Sequence, residues 1–175
     1  MRHTHTPSLL LAAVVLLATA SAPCSATEPL FDKIEIEGRS GRLHDNARGW
    51  LALPESEQLR AMVQAERCSA IGGPRGQFKV ADGVLWLHAL YRCRGAIELS
   101  SVYPDARSPW AATWVTGELT AELGKVECVS QAGKPVFERT ARISVEAGKV
   151  TAVSYRVPSL EQCGRDLSSQ EAPSK

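Results

Sequence analysis

Two alternating apolar segments, Gly76 to Val80 and Val84 to Tyr91, are separated by Ala81-Asp82-Gly83, and this arrangement constrains the fold more than any other stretch of the chain. Asp-Gly is a tight-hairpin pair because both residues tolerate positive φ, so the two segments must return as antiparallel neighbours. The pattern recurs near the C-terminus. Val136 to Glu146 and Lys149 to Val157 alternate about Ala147-Gly148, and Lys125 to Ser130 reaches Val136 through a turn at Gln131-Ala132-Gly133-Lys134. Turn signals at this spacing predict a sheet of short antiparallel strands.

In the segment after Asp82-Gly83, Val84, Trp86, His88 and Leu90 share one face, while Leu85, Leu87, Ala89 and Tyr91 share the other. Both faces are largely apolar, which predicts a central strand covered on both sides, with His88 a packed structural histidine. Further strands are predicted at Phe31 to Glu37, marked by Phe31, Ile34 and Ile36, and at Ala96 to Leu99. Trp114 to Ala121 is a third, ended by Gly124, whereas the polar, glycine-bearing Gly38 to Gly49 reads as a loop. One helix is expected, from about Pro54 to Arg67. Proline suits a first helical turn, Glu55 and Glu57 place negative charge there, and Leu59, Met62 and Val63 form one apolar stripe. Together these features predict an α+β or mainly β domain, its antiparallel sheet open or closed into a partial barrel, with one N-terminal helix over about 54–67.

The first 26 residues are expected to be a signal peptide. Leu9 to Ala18 is an unbroken apolar run, too short to cross a bilayer of about 30 Å. Cys24-Ser25-Ala26 supplies small residues before a cut between Ala26 and Thr27, whereas cutting after Ala22 would leave Pro23 at the junction. Pro23 also argues against a lipoprotein built on Cys24. Residues 27–163 then form a single globular domain and 164–175 a polar, disordered tail. No second apolar stretch is long enough for a transmembrane anchor. The exported chain is expected in the periplasm or outside the cell.

Charge narrows the partners. The formal net charge of +1 falls to zero when the leader and Arg2 are removed. Neutrality excludes a basic nucleic-acid footprint and a polybasic membrane binder. Removing Cys24 leaves Cys68, Cys93, Cys128 and Cys163, an even set that reads as two disulfides in an oxidising compartment. Of three connectivities, Cys68–Cys93 with Cys128–Cys163 is favoured. The cysteine spacings contain no C-x-x-C pair, so no zinc or other metal site is expected, nor any cofactor.

The chemistry of catalysis is thin. Only His44 and His88 remain after cleavage, H-E-x-x-H and G-x-S-x-G are absent, and Gly72-Gly73-Pro74-Arg75-Gly76 lacks the Lys-Ser/Thr ending of a phosphate loop. No catalytic residue is assigned. Glu98, Asp105, Glu118 and Glu127 are available as carboxylates, although acids alternating with apolar residues usually form the wet face of a sheet. More distinctive is the placing of Trp50, Tyr103 and Trp110 near polar or proline-bearing segments, with Arg92, Arg94 and Arg107 nearby. Aromatics and arginines are favoured anchors of recognition surfaces.

The segments GQFKVADGVLWL, IELSSVYP, SPWAATWVTGELTAELGK and VEAGKV resemble a family of small bacterial β-rich proteins without established activity. The matching positions are Gly76, Phe78, Val80, Asp82, Gly83, Leu85, Trp86 and Leu87, then Tyr103 and Pro104, then Ala112, Trp114, Gly117 and Leu119, and lastly Gly148 and Val150. The resemblance implies a compact β-rich unit and no catalytic residues.

The function expected from these features is an exported, non-catalytic domain that binds a protein or envelope component, as an inhibitor or immunity protein does. An envelope hydrolase using paired carboxylates on peptidoglycan or glycans is the alternative, and a structural envelope component a third. Non-reducing peptide mapping of the mature chain should find no free thiol at Cys68, Cys93, Cys128 or Cys163; free thiols at all four would overturn the compartment and the staples together.

Overall fold

The computed structural model describes residues 30–65, 73–93 and 95–165. Ten strands and one α-helix follow in the order β1 (Asp32–Ile36), β2 (Arg39–Asp45), α1 (Glu57–Ala65), β3 (Arg75–Ala81), β4 (Val84–Arg92), β5 (Gly95–Ile97), β6 (Trp110–Ala111), β7 (Gly117–Ser130), β8 (Pro135–Glu146), β9 (Lys149–Arg156) and β10 (Cys163–Arg165). The α+β or mainly β class expected from the sequence is the class observed. Among the described residues, no helix is long and apolar enough to cross a membrane.

Seven strands pair in a ring, β7-β2-β1-β3-β4-β9-β8, closed by the pairing of β8 with β7. The sheet is mixed rather than wholly antiparallel, because β1 and β3 run parallel, with Ile34 opposite Phe78 and Ile36 opposite Val80. The ring closes at its thinnest point through the two turns recognised in the sequence. Asp82-Gly83 and Ala147-Gly148 both hold positive φ. Leu85 N–H donates to the Gly148 carbonyl at 2.8 Å, and Val150 N–H donates to the Gly83 carbonyl at 2.8 Å. Between these bonds, Val84 opposite Lys149 is the one pairing of β4 with β9.

Inward side chains fill the ring. Ile34 and Ile36 of β1, Leu43 of β2, Phe78 of β3, Leu85, Leu87 and Leu90 of β4, Leu119, Ala121 and Leu123 of β7, and Ala141, Ile143 and Val145 of β8 are all buried. Leu51, Leu99, Val102, Ala112 and Val115 come from loops and complete the core.

Several expectations change. The predicted loop at Gly38 to Gly49 contains β2, a polar strand with only Leu43 fully inside. Pairing on both sides stabilises it, to β1 and to β7. Gly41 is needed there because a Cβ would collide with the backbone carbonyl of Glu122. The helix begins at Glu57 rather than Pro54, since Ser56 is its cap: the Ser56 hydroxyl accepts from Leu59 N–H at 2.9 Å. Gly124 does not end a strand, and β7 runs through it with a register shift between Leu123 and Val126. Trp114 precedes β7 rather than belonging to it. The expected strand at Ala96 to Leu99 is Gly95–Ile97, followed by a 3-10 turn at Leu99–Ser101. Cys163–Arg165, partly assigned to a disordered tail, is β10 and pairs with β7; residues 166–175 lie outside the described residues.

The two-faced reading of β4 also changes. Gln77 lies opposite Ala89 and Phe78 opposite Leu87, which leaves His88 as an extra residue in a β-bulge. The bulge shifts the phase, so Leu85, Leu87 and Leu90 all point inward while His88 is exposed, not packed.

Among the described residues, one acidic side chain is fully buried. Asp32 shares the inward face of β1 with Ile34 and Ile36. Its Oδ2 accepts from Leu51 N–H at 2.8 Å and its Oδ1 from Gly76 N–H at 2.7 Å. Arg75 is buried beside it, with Nε donating to the Leu30 carbonyl at 3.2 Å. Burial pushes the Asp32 carboxyl above its ordinary value of 3.8, against the opposing pull of the two amides and the Arg75 charge. Removing the carboxylate would leave two buried amides without their acceptor and take an opposite charge away from Arg75. Asp32→Ala is therefore expected to lower unfolding free energy by about 3–5 kcal/mol in denaturant titrations. Because the folded carboxyl holds its proton to higher pH than the unfolded one, the folded chain binds more protons above pH 3.8 and loses relative stability as pH rises through that range. The stability advantage of the parent chain over Asp32→Asn should accordingly shrink as pH is raised from below 3.8.

Candidate functional site

The segment Trp50 to Pro54 has no regular secondary structure, so its backbone groups need partners from elsewhere. Three side chains distant in sequence supply them. Asp32 takes the Leu51 amide, Trp114 Nε1 donates to the Ala52 carbonyl at 3.0 Å, and the Tyr103 hydroxyl donates to the Pro54 carbonyl at 2.8 Å. Tyr103 is buried by this arrangement, and burial pushes its phenol up to about 12. Trp110 fills the space between the two donors, its ring 5.1 Å from Tyr103 and 4.7 Å from Trp114. Trp110 is held in turn by β6, where it lies opposite Leu87 of β4.

A cleft of about 620 Å³ opens beside this aromatic cluster, lined among others by Pro54, Glu55, Tyr103, Asp105, Arg107 and Trp110. A second, of about 740 Å³, lies on the other side of the same loop and includes His88, Ile97, Glu98, Ser100, Arg107 and Ser108. Arg107 belongs to both and is exposed, so it stands on the ridge between them. His88 reaches the second cleft because the bulge turns it outward, and the Ser108 hydroxyl donates to the His88 carbonyl at 2.6 Å. The chemistry offered is an apolar aromatic wall, a guanidinium and carboxylates of both clefts. Such a set recognises a flat or apolar group flanked by hydrogen-bonding and charged atoms.

The residues proposed from sequence as a binding surface separate into groups. Tyr103, Trp110 and Arg107 meet at the first cleft. Trp50 begins the Trp50-to-Pro54 segment, a strap tied down by Asp32, Trp114 and Tyr103, and is 43% exposed, with the Arg75 guanidinium 5.3 Å from its ring centre. Arg92 is half-buried at the end of β4, opposite Gly95 of β5. Arg94 lies outside the described residues. Glu55 of the first cleft was not singled out by sequence, because its place in the first helical turn explained its charge.

The other candidates are dispersed. Glu118 and Glu127 both stand on β7, roughly 30 Å apart at about 3.3 Å per residue. Paired glycosidase carboxylates stand at most about 9.5 Å apart, so these two do not form such a pair. His44, read as part of a loop, is on β2, where Nε2 meets Glu122 Oε2 at 3.1 Å and the ring packs edge-on to Phe31. No group of three potential metal ligands comes together among the described residues. Cys128 and Cys163 are bonded, with Cα atoms 5.6 Å apart. Cys93 is also disulfide-bonded, and Cys68, its expected partner, lies outside the described residues, as does the expected cleavage junction at Ala26 and Thr27.

No protein-family model matches the chain, and neither does any curated protein or solved structure.

If the aromatic cluster orders the strap, Tyr103→Phe should cost about 1 kcal/mol, the net worth of one hydrogen bond, and raise protease susceptibility within residues 50–56. Equal cleavage of parent and variant in that segment would disconnect the cluster from the strap.

Proposed function

We propose that this chain is an exported, non-catalytic binding domain of the periplasm or extracellular space, which grips a protein or envelope component in the manner of an inhibitor or immunity protein. The observation that carries this reading is the cleft between Pro54 and the Tyr103–Trp110 pair, with Arg107 on its rim. Its walls are held in place before any ligand arrives. Tyr103 and Trp114 are both hydrogen-bonded to the strap, and Trp110 packs against each of them with its ring tilted. A preformed site loses little conformational freedom on binding, and aromatic and arginine side chains are the residue types that contribute most at such contacts. Export fits the apolar leader and the disulfide.

The second reading is the envelope hydrolase, favoured by one observation: Glu55 and Asp105 line the same cleft as Trp110. Two acids beside an aromatic platform suit a sugar ring, one carboxyl protonating the leaving oxygen and the other activating water or attacking directly.

The two readings part in a paired experiment. A photo-crosslinking amino acid at Arg107 should trap one envelope partner, Trp110→Ala should reduce that product at least tenfold, and purified peptidoglycan should release no soluble fragments. Fragment release abolished by Glu55→Gln or Asp105→Asn, with thermal stability unchanged, would overturn the binding reading in favour of hydrolysis.

A further inference from the structure

The backbone of β9 pairs along its length with β8, from Lys149 opposite Glu146 to Arg156 opposite Thr140. On its other side β4 meets it only at Val84 opposite Lys149, and Val150 bonds to Gly83 in the turn. Beyond that turn β9 overhangs. From Thr151 to Arg156, no strand among the described residues pairs with this edge, and Thr151, Ala152, Ser154, Tyr155 and Arg156 are exposed. The edge presents a row of backbone donors and acceptors, the template on which an extended chain can add as a further strand.

The side chains say what such a chain would carry. On the inward face, Val153 is half-buried, Tyr155 is 38% exposed and Val157 is 68% exposed, so an apolar row continues past the end of the core. The Arg139 guanidinium lies 5.1 Å from the ring centre of Tyr155. On the outward face, Arg156 lies beside Ser154, which is opposite the exposed Arg142 of β8, and Lys149 stands at the start of the strand. None of Arg142, Lys149 and Arg156 makes an ion pair with any described residue.

From these observations we infer that the Thr151–Arg156 edge of β9 is a strand-addition site for an extended, acidic segment of a partner protein, its apolar side chains alternating with carboxylates that meet Arg142 and Arg156. This surface is distinct from the cleft at Trp110 and does not depend on it.

The probe is a capped eight-residue peptide of alternating valine and glutamate, compared with its valine–lysine counterpart, added to the purified chain and followed by amide hydrogen exchange and by titration. Slowed exchange at residues 151–156 and at least tenfold tighter binding of the glutamate peptide are expected. In Arg142→Glu/Arg156→Glu, checked for an unchanged melting transition, the preference should pass to the lysine peptide. Absence of protection at 151–156 at millimolar peptide, or equal affinity of the parent chain for the two peptides, would overturn the inference without reference to any variant. Dimerisation through β9 in sedimentation, blocked by neither peptide, would overturn it as well.

Discussion

The carboxylate of Asp32 is the point on which the rest of the molecule turns. It stands at the first residue of β1, faces the interior, and holds the amides of Leu51 and Gly76 at 2.8 and 2.7 Å. The start of β1, the loop that closes one end of the ring and the start of β3 are thereby gathered at one atom group. The parallel pairing of β1 with β3 needs such a clamp. Parallel neighbours cannot be joined by a tight turn, and here residues 37–74 must leave β1 and return alongside it. A neutral apolar residue at position 32 could fill the volume but could satisfy neither amide, and buried amides without partners are costly. The arrangement is expensive in desolvation, as the raised pKa of Asp32 shows, and it persists because Arg75 and two backbone donors face it together.

From that clamp the site follows. Leu51 is fixed by Asp32, Ala52 by Trp114 and Pro54 by Tyr103, so consecutive parts of the strap are tied to β1, to the segment before β7 and to the loop before β6. The side chains that bond the strap are the ones that wall the cleft. This explains why Tyr103 is both buried and part of a surface feature: its ring packs under the strap while its edge lines the opening. Tyr91, whose phenol burial and the neighbouring Asp32 charge push up to about 12, is buried with the Lys33 ammonium 4.2 Å from its ring centre. Rigid walls of this kind select ligands by shape. Arg107, exposed between two clefts, adds charge without being held by the core.

Much of the sheet was legible because its information is local. Asp82-Gly83 and Ala147-Gly148 need positive φ whatever surrounds them, and both hairpins form where those pairs stand. Gly38 also sits in such a turn, after Glu37, yet β2 escaped the reading because RSGRLHD has a single residue, Leu43, wholly inside. Its strand character comes from two neighbours distant in sequence, which no periodicity records. His88 was misplaced for a related reason. Strict alternation put it on the face of Leu90, and one inserted residue opposite Gln77 and Phe78 breaks the count. Asp32 is different, since a signal existed: it alternates with Ile34 and Ile36 and should have been placed with them inside. A charged residue in an apolar register is easily read as the strand's edge, when it can equally be the buried group that orders the loops. The cleft required tertiary contact throughout, because Pro54, Tyr103 and Trp110 are brought together only by the strap.

Unequal strand lengths leave the ring with two overhangs, and these are held differently. Beyond Leu123, the hairpin of β7 and β8 buries only Cys128 and Phe137, too little apolar surface to hold its end by burial alone. The bond from Cys128 to Cys163 stands at this place and brings β10 against β7. Closing a loop with a sequence separation of 35 restricts the unfolded chain by roughly 4 kcal/mol on the loop-entropy account. The overhang of β9 has no such tie. Past the two turn-to-turn hydrogen bonds at Gly83 and Gly148, it keeps its conformation through its pairing with β8. A strand paired on one side, with no ion pair on its basic residues among the described residues, has bonding capacity that the described fold leaves open. The same closure that completes the ring at Val84 and Lys149 therefore leaves the Thr151–Arg156 edge of β9 without a strand partner among the described residues.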